Sequence, residues 1–193
     1  MGVIIAMAKK QTDYSDNGKS QFIIGNEAAL RKYNEVMVKY CDVLPVPLVE
    51  VATDLGLKIF FSSELKDNES GSIGLEDDGF IIYLNEKHSP NRNRFTLAHE
   101  IGHYVNDQDY FEKNSSIIDH VKLNRIEAID PELATRERRA NEFAANLLMP
   151  EGKFKSVCET YRNIEKVAKY FDVSISAASI RLDRLGDFNG YLI

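Results

Sequence analysis

Residues 95–104, FTLAHEIGHY, contain the pattern His-Glu-x-x-His, whose residue types could bind and use a metal ion. On an α-helix, residues four apart lie on one face about one turn apart, so His99 and His103 would project side by side toward one ion. Zinc accepts imidazole and carboxylate ligands and keeps one open position in catalytic sites. Glu100 lies between the histidines but points away from their column, as a general base acting on water must. The other interpretation is an ordinary helix whose two partly buried histidines only make hydrogen bonds.

A third protein ligand decides between these interpretations, because a catalytic zinc normally takes three. The chain has four histidines, and only His88 and His120 lie outside the motif, so a carboxylate is the expected third ligand. The candidate carboxylates are Asp107, Asp109, Glu112, Asp119, Glu127, Glu132, Glu137 and Glu142.

Helical phase selects Glu137 among these candidates. Residues 131–150 read PELATRERRANEFAANLLMP, and the apolar stripe of this expected helix contains Leu133, Ala140, Ala144, Leu147 and Leu148. Glu137 falls on that stripe, where its buried charge is costly unless something compensates it. A metal ion would do so, and an internal ion pair with Arg92 or Arg94 is the other interpretation.

Two neighbouring residues, Asn141 and Gly102, are assigned to the predicted site, and Glu142 is excluded from it. Glu142 falls on the polar face of the same helix, beside two arginines, which predicts a solvated charge. Asn141 follows Glu137 by one turn and could hydrogen-bond the far nitrogen of a ligand histidine, which would fix the tautomer of that ring. Gly102 removes a side chain beside the histidines, so that a neighbouring backbone or a substrate could approach.

The elements that must position these residues are predicted from hydrophobic periodicity and turn signals. Helices are expected over 26–40, 48–55, from Ser89-Pro90 through the motif, and over 132–149, and strands over 57–61, 72–76 and 80–84. The last two strands form a hairpin at Asp78-Gly79. Residues 106–130 are polar and long for a bare loop, so they either have a function or contain a short helix around 117–121. This order predicts an α+β fold in which a small three-stranded sheet packs on the helix that carries the motif.

The composition limits the class of protein. With 193 residues, of which 44% are hydrophobic and 28% charged, the chain is expected to be soluble and globular. No apolar run approaches the ~20 residues of a membrane-spanning helix, and residues 3–8 are too short for a signal-peptide core. Cys41 and Cys158 lie far apart, so we expect free thiols in a reducing compartment, which favours a cytoplasmic protein. The net charge of −6 does not favour a nucleic-acid-coating surface.

FTLAHEIGHY followed by ERRANEFAANLLMP resembles the ImmA/IrrE family of zinc metallo-endopeptidases, within the Glu-zincin class. The upstream LPVPLVEVATDLGLKIFF and GFIIYLNE also match, so the resemblance covers roughly residues 40–186. It implies zinc on His99, His103 and Glu137, with Glu100 as the catalytic base and Asn141 where relatives place Asp or Asn. Two histidines and a glutamate would also accept manganese, iron or cobalt.

The resemblance also implies an organisation and a partner. It predicts an N-terminal extension and helix at 1–40, a metallopeptidase core with a zincin-type active-site helix at 41–150, and a small C-terminal helical subdomain at 151–193. Family members typically cut, or promote cutting of, helix-turn-helix repressors encoded beside them. The competing hypothesis is a binding partner or toxin paired with a helix-turn-helix antitoxin, in which the zinc fold serves recognition. The connection from His103 to Glu137 is long for the family. Its extra residues are expected to form a lid over the site, a loop that docks a partner, or a cover that silences the site.

Two parts of the mechanism stay open in the sequence. The donor for a developing oxyanion could be Tyr104, His88, His120 or a nearby arginine, although Tyr104 points away from His99 and is expected to pack. A peptide substrate is expected to bind extended along a sheet edge, at strand 72–76 or 80–84.

Residues 164–186 resemble half of a helix-turn-helix, with a turn at residues 172–174. Reading of DNA is not expected, because a DNA-binding face shows a positive excess and the charges here balance. The balance is counted over residues 165–187, where four positive groups face four negative ones: Lys166, Lys169, Arg181 and Arg184 against Glu165, Asp172, Asp183 and Asp187. Structural packing or protein docking is expected instead, with Ala177, Ile180, Leu182 and Leu185 as core or interface residues.

Overall fold

The fold is taken from a computed structural model that describes residues 27–76, 79–111, 116–120 and 130–186. The helices within these residues are α1 (Glu27–Tyr40), α2 (Leu48–Asp54), α3 (Pro90–Asn106), the single turn α4 (Gln108–Phe111), α5 (Pro131–Leu148), α6 (Glu151–Tyr161), α7 (Ile164–Phe171) and α8 (Ile175–Leu185). The strands are β1 (Lys58–Ser62), β2 (Glu69–Glu76), β3 (Gly79–Asn85) and β4 (Ser116–His120). This is a mixed α+β architecture, as predicted.

The first two helices follow the sequence signals that predicted them. The buried face of α1 carries residues at helical spacing, Ala29, Tyr33, Val36 and Met37. Helix α2 ends next to Gly56, whose φ of +80° lies in the left-handed region that favours glycine. The chain then enters β1 directly.

The sheet has the strand order β1-β3-β2-β4. All three predicted strands are present, with β1 parallel to β3 and β2 antiparallel to β3. A fourth strand joins them, because Ile117 and Ile118 pair antiparallel with Ile73 and Ser72 of β2. The alternative of a short helix around 117–121 is therefore wrong for residues 117–120. Adjacent β-branched residues suit an open sheet edge, and this tertiary pairing outweighs a weak local pattern.

The predicted substrate edge is also wrong. Strand β2, which contains residues 72–76, is paired on both sides, and so is β3, which contains 80–84. The outer strands of the sheet are β1 and β4.

Two glycines allow α3 to lie close to its neighbours. A Cβ on Gly71 of β2 would lie 2.6 Å from Cγ2 of Thr96 and 2.8 Å from the backbone oxygen of Tyr83. A Cβ on Gly102 of α3 would lie 3.2 Å from Cα of Ala140 and 3.1 Å from Cδ1 of Phe143. The sheet therefore packs closely on side chains of α3 at Gly71, and the backbone of α5 closely approaches α3 at Gly102. The neighbouring backbone expected at Gly102 is that of α5.

The C-terminal helices share one hydrophobic core with the sheet and α3. Phe154 of α6 and Phe171 of α7 are fully buried, with ring centroids 5.6 Å apart. Arg181 of α8 is buried and donates a hydrogen bond of 2.7 Å to Asn146 of α5. Ile180, by contrast, is 52% exposed, so it is not a core residue and its interface role stays a prediction. Within the described ranges, none of the helices is both long enough and apolar enough to cross a lipid bilayer.

Candidate metal centre

The side chains of His99, His103 and Glu137 meet between α3 and α5. Nε2 of His99 lies 3.0 Å from Nε2 of His103, and these nitrogens lie 3.2 Å and 3.3 Å from the two carboxylate oxygens of Glu137. One ligand atom from each residue falls within 4.8 Å of the others. The exposed fractions are only 2%, 0% and 2%, so the cluster is shielded from water. The structure thus brings together the three residues that the sequence selected as ligands.

The close approach of α3 and α5 explains this meeting. His99 and His103 project from one face of α3, and Gly102 beside them lets the backbone of α5 come near. Glu137 lies one turn before Ala140, the residue that Gly102 contacts. A packing contact between two helices therefore places a carboxylate opposite two imidazoles.

Each histidine is held through its Nδ1 atom. Nδ1 of His99 lies 3.2 Å from the side-chain oxygen of Asn141, and Nδ1 of His103 lies 2.7 Å from Oδ2 of Asp107. Because these oxygens accept, both Nδ1 atoms carry hydrogen, and both Nε2 atoms are left to bind a proton or a metal cation. With neither present, two Nε2 lone pairs 3.0 Å apart beside a carboxylate would repel each other. This donor set fits a divalent metal such as zinc.

The electrostatics of the cluster favour a positive charge. Burial alone would lower the pKa of His103, but hydrogen bonds with Asp107 and Glu137, together with nearby negative charge, outweigh burial and raise this pKa to about 10. Burial alone would raise the pKa of Glu137, whereas its hydrogen bonds with the two histidines lower it to about 2. The protein therefore stabilises a cation at this position and keeps the carboxylate ionised.

Glu100 lies beside this cluster without belonging to it. Its side chain is completely buried between α3 and β2, and a Cβ on Gly71 would lie 3.3 Å from its Oε1. Its negative charge contributes to the raised pKa of His103. A buried carboxylate next to a cation site, but outside the ligand set, is placed to accept a proton from a reacting water.

The candidate oxyanion donors and the candidate ion-pair partners of Glu137 make contacts outside the cluster. Tyr104 packs edge-to-face on Phe80, as expected. His88 faces the backbone oxygen of Asp67 across 3.3 Å. The guanidinium of Arg92 donates to Ser70, and that of Arg94 donates to the oxygen of Val46. The ion pair that was considered for Glu137 with either arginine is not formed, because Glu137 faces the histidines instead.

Of the remaining candidate carboxylates, those whose side chains the structure describes lie outside the cluster. Glu142 is exposed, as its phase predicted. Asp109 and Glu132 both pair with Arg136, at 3.0 Å and 2.9 Å. The side chains of Asp119 and His120 lie outside the described residues, as do Glu112 and Glu127.

Sequence reasoning missed the role of one residue. Asp107 was considered only as a third ligand, whereas its carboxylate contacts Nδ1 of His103 and the guanidinium groups of Arg136 and Arg139. The spacing did contain a signal, because Asp107 follows His103 by four residues and so falls on the same helical face.

Comparisons with known proteins agree with this geometry. A model of the IrrE N-terminal-like domain, peptidase family M78, matches residues 52–183, which include the whole cluster. The chain is 34% identical over 117 residues to the radiation response metalloprotease IrrE of Deinococcus radiodurans, covering 55% of this chain and 33% of that protein. A Mycobacterium tuberculosis transcriptional regulator of known structure has the same fold, with a TM-score of 0.54 at 19% identity, covering 100% of this chain and 53% of that one.

The chain thus spans about a third of the curated relative and about half of the solved one. Membership of a metalloprotease family supports a peptidase role and implies a divalent metal at the His-His-Glu cluster. On the match over residues 52–183, the chain belongs to the IrrE N-terminal-like family.

Proposed function

We propose that the protein is a zinc-dependent endopeptidase that cleaves a helix-turn-helix transcriptional repressor or another regulatory protein. The observation that carries this proposal is the convergence of His99, His103 and Glu137 with Glu100 buried beside them. Three ligands and a separate carboxylate are the set that metal-assisted hydrolysis of a peptide bond requires. The repressor as substrate comes from the family resemblance.

The chain's own residues would perform most of the reaction. A divalent cation at the cluster would polarise the scissile carbonyl and make nearby water more acidic. Glu100 would accept the proton of the attacking water and then deliver it to the leaving amine. Asn141 and Asp107 would hold the two imidazoles in one tautomer throughout.

An extended peptide would reach this site from the β4 side of the sheet. Glu100 lies against Gly71 of β2, and β4 is the outer strand next to β2, whereas β1 is separated from β2 by β3. Pairing along that edge would use backbone hydrogen bonds.

The test uses the purified chain and, as candidate substrate, any helix-turn-helix repressor that a gene next to its own encodes. We expect about one zinc per chain, and cleavage of the repressor that a chelator stops and added zinc restores. Glu100→Gln should retain zinc and lose cleavage by a factor of about 100 or more, as loss of a general base does. Glu142→Gln, a change to an exposed glutamate of α5, is the matched control and should cleave normally. An intact repressor together with no bound zinc would contradict the proposal.

The second candidate is a recognition protein, either a regulatory partner or the toxin of a helix-turn-helix antitoxin. The observation that favours it is the near-complete burial of all four site side chains, which a protein acting by recognition alone does not need to expose. Glu100→Gln separates the two candidates, because a biological effect that survives this change does not depend on proteolysis.

A further inference from the structure

The carboxylate of Asp107 joins a proposed metal ligand to two arginines. It is completely buried at the C-terminal end of α3, where its Oδ2 accepts a hydrogen bond of 2.7 Å from Nδ1 of His103. Its other oxygen, Oδ1, accepts hydrogen bonds of 2.9 Å from Arg136 and 2.6 Å from Arg139. Both oxygens are therefore committed, and the carboxylate cannot turn without breaking a charge-assisted hydrogen bond.

Arg136 is the more firmly held of the two arginines. Its side chain is 4% exposed, whereas that of Arg139 is 37% exposed. Besides Asp107, its guanidinium binds Asp109 with both nitrogens, at 3.3 Å and 3.0 Å, and Glu132 at 2.9 Å. These contacts fix it from both α4 and α5.

We propose that Asp107 is a positioning residue for His103, and that Arg136 holds Asp107 in the orientation that keeps Nε2 of His103 turned toward the metal. This inference rests on the proposed metal centre. It assigns Arg136 a role through Asp107, since the guanidinium itself contacts neither histidine in the hydrogen bonds described.

The physical argument concerns the cost of burying a carboxylate. An ionised carboxylate with no exposed surface is stable only where hydrogen bonds and opposite charge replace its hydration. Arg136 and Arg139 donate to Oδ1 of Asp107, so its Oδ2 is left to accept from Nδ1 of His103, and this leaves Nε2 of that ring turned toward the metal centre.

The two ligand histidines are consequently supported in different ways. His99 meets the neutral amide of Asn141 across 3.2 Å, while His103 meets a charged carboxylate across 2.7 Å. A charged partner makes the shorter and stronger bond and increases the electron density of the ring. His103 is therefore the better-oriented ligand, and the loss of its partner should be felt directly in metal affinity.

The experiment measures zinc affinity of the full chain by competition with a chromophoric chelator, and the visible absorption of the cobalt-substituted protein. Asp107→Asn keeps the volume but places an NH2 group against the guanidinium groups when its oxygen faces His103. We expect its zinc dissociation constant to rise by about 10- to 100-fold, the usual effect of removing such a partner, with a shifted cobalt spectrum. Arg136→Gln should act in the same direction. Glu142→Gln, a change to an exposed carboxylate of α5 outside this chain of hydrogen bonds, is the control and should change neither reading.

The outcomes separate this role from the proposed function. If Asp107→Asn fails to fold, Arg136→Gln supplies the same two readings. A lower melting temperature with unchanged zinc affinity and an unchanged cobalt spectrum would make Asp107 merely structural and would overturn the inference. A wild-type chain that takes up neither zinc nor cobalt would contradict the metal centre itself, and this role with it. If the wild type binds metal and Asp107→Asn binds it with the same affinity, only the role of Asp107 is contradicted.

Discussion

The buried glutamate of α5 is the residue on which the metal centre depends. Glu137 is 2% exposed, and both of its oxygens face imidazole nitrogens. A carboxylate in that position would be destabilising on an apolar helix face without a cation or proton beside it. Binding a cation together with the two histidines would offset the cost of burying Glu137. Glu142 on the same helix is exposed and incurs no such cost.

Glu137→Gln should therefore weaken zinc binding by a factor of about 100 or more, because it removes the only anionic ligand of the set while keeping the side-chain shape. Chelator competition on the purified variant measures this effect. Glu142→Gln is the control and should bind zinc like the wild type. Equal affinity in both variants would show that Glu137 does not coordinate the metal.

The residues of the site could be predicted to different extents. His99, His103 and Glu137 were accessible because spacing on a helix and position on an apolar stripe are local properties of the sequence. The i,i+4 spacing of His103 and Asp107 allowed their contact, but it did not show that Arg136 of a helix distant in sequence holds the same carboxylate. That second contact follows from tertiary packing, which spacing does not contain.

The two cysteines should differ in reactivity. Cys41 is exposed, whereas Cys158 is buried, and burial together with the charge of Glu159 raises the pKa of Cys158 to about 11. Only the thiolate reacts at an appreciable rate. In the native chain at pH 8 we expect alkylation of one thiol per molecule, located at Cys41 by peptide mass spectrometry, and of two thiols after denaturation. Rapid native labelling of Cys158 would contradict its burial.

Close packing of α3 on α5 is the element-scale feature that forms the site. A Cβ on Gly102 would stand 3.2 Å from both Cα of Ala140 and Cβ of Phe143, atoms that cannot move without the backbone. Gly102→Ala should therefore push the helices apart, lower the free energy of unfolding by about 1–3 kcal/mol, and weaken zinc binding. Chemical denaturation and chelator competition measure the two effects.

Gly152→Ala is the matched control for this prediction. Gly152 is exposed in α6, and nothing lies within 4 Å of the Cβ it would gain. Alanine should stabilise this helix by up to about 1 kcal/mol and leave zinc affinity unchanged. If both variants were equally stable and bound zinc equally, the approach of α3 and α5 would not require a glycine.

Most elements could be predicted because their signals are local. Pro90 and Pro131 begin α3 and α5, Gly56 follows α2, and residues on either side of 77–78 form the predicted hairpin. Strand β4 could not be predicted, because residues 116–120 become a strand by pairing with the outer side of β2. The available edge is a property of the assembled sheet and not of the segment.

At the scale of the whole molecule, the C-terminal helices and the metal centre share one core. Arg94 of α3 lies 3.4 Å from Asp172 at the turn between α7 and α8, and Arg181 of α8 binds Asn146 of α5. The two helices that carry the site are therefore tied to the residues that resemble half of a helix-turn-helix. We expect this segment to stabilise the core. Its balanced charge agrees with this role, because a DNA-binding surface would show a positive excess.

Phe171→Ala tests this integration. Phe171 is fully buried, with its ring 5.6 Å from that of Phe154, so its removal should lower the free energy of unfolding by about 3–5 kcal/mol. Ile180→Ala, at a position 52% exposed on α8, should change it by no more than about 0.5 kcal/mol. Circular dichroism and zinc release during thermal unfolding should give one coincident transition in both variants, since a shared core unfolds as one cooperative unit. Zinc retained through a first transition of Phe171→Ala would instead show that residues 151–186 fold independently of the site.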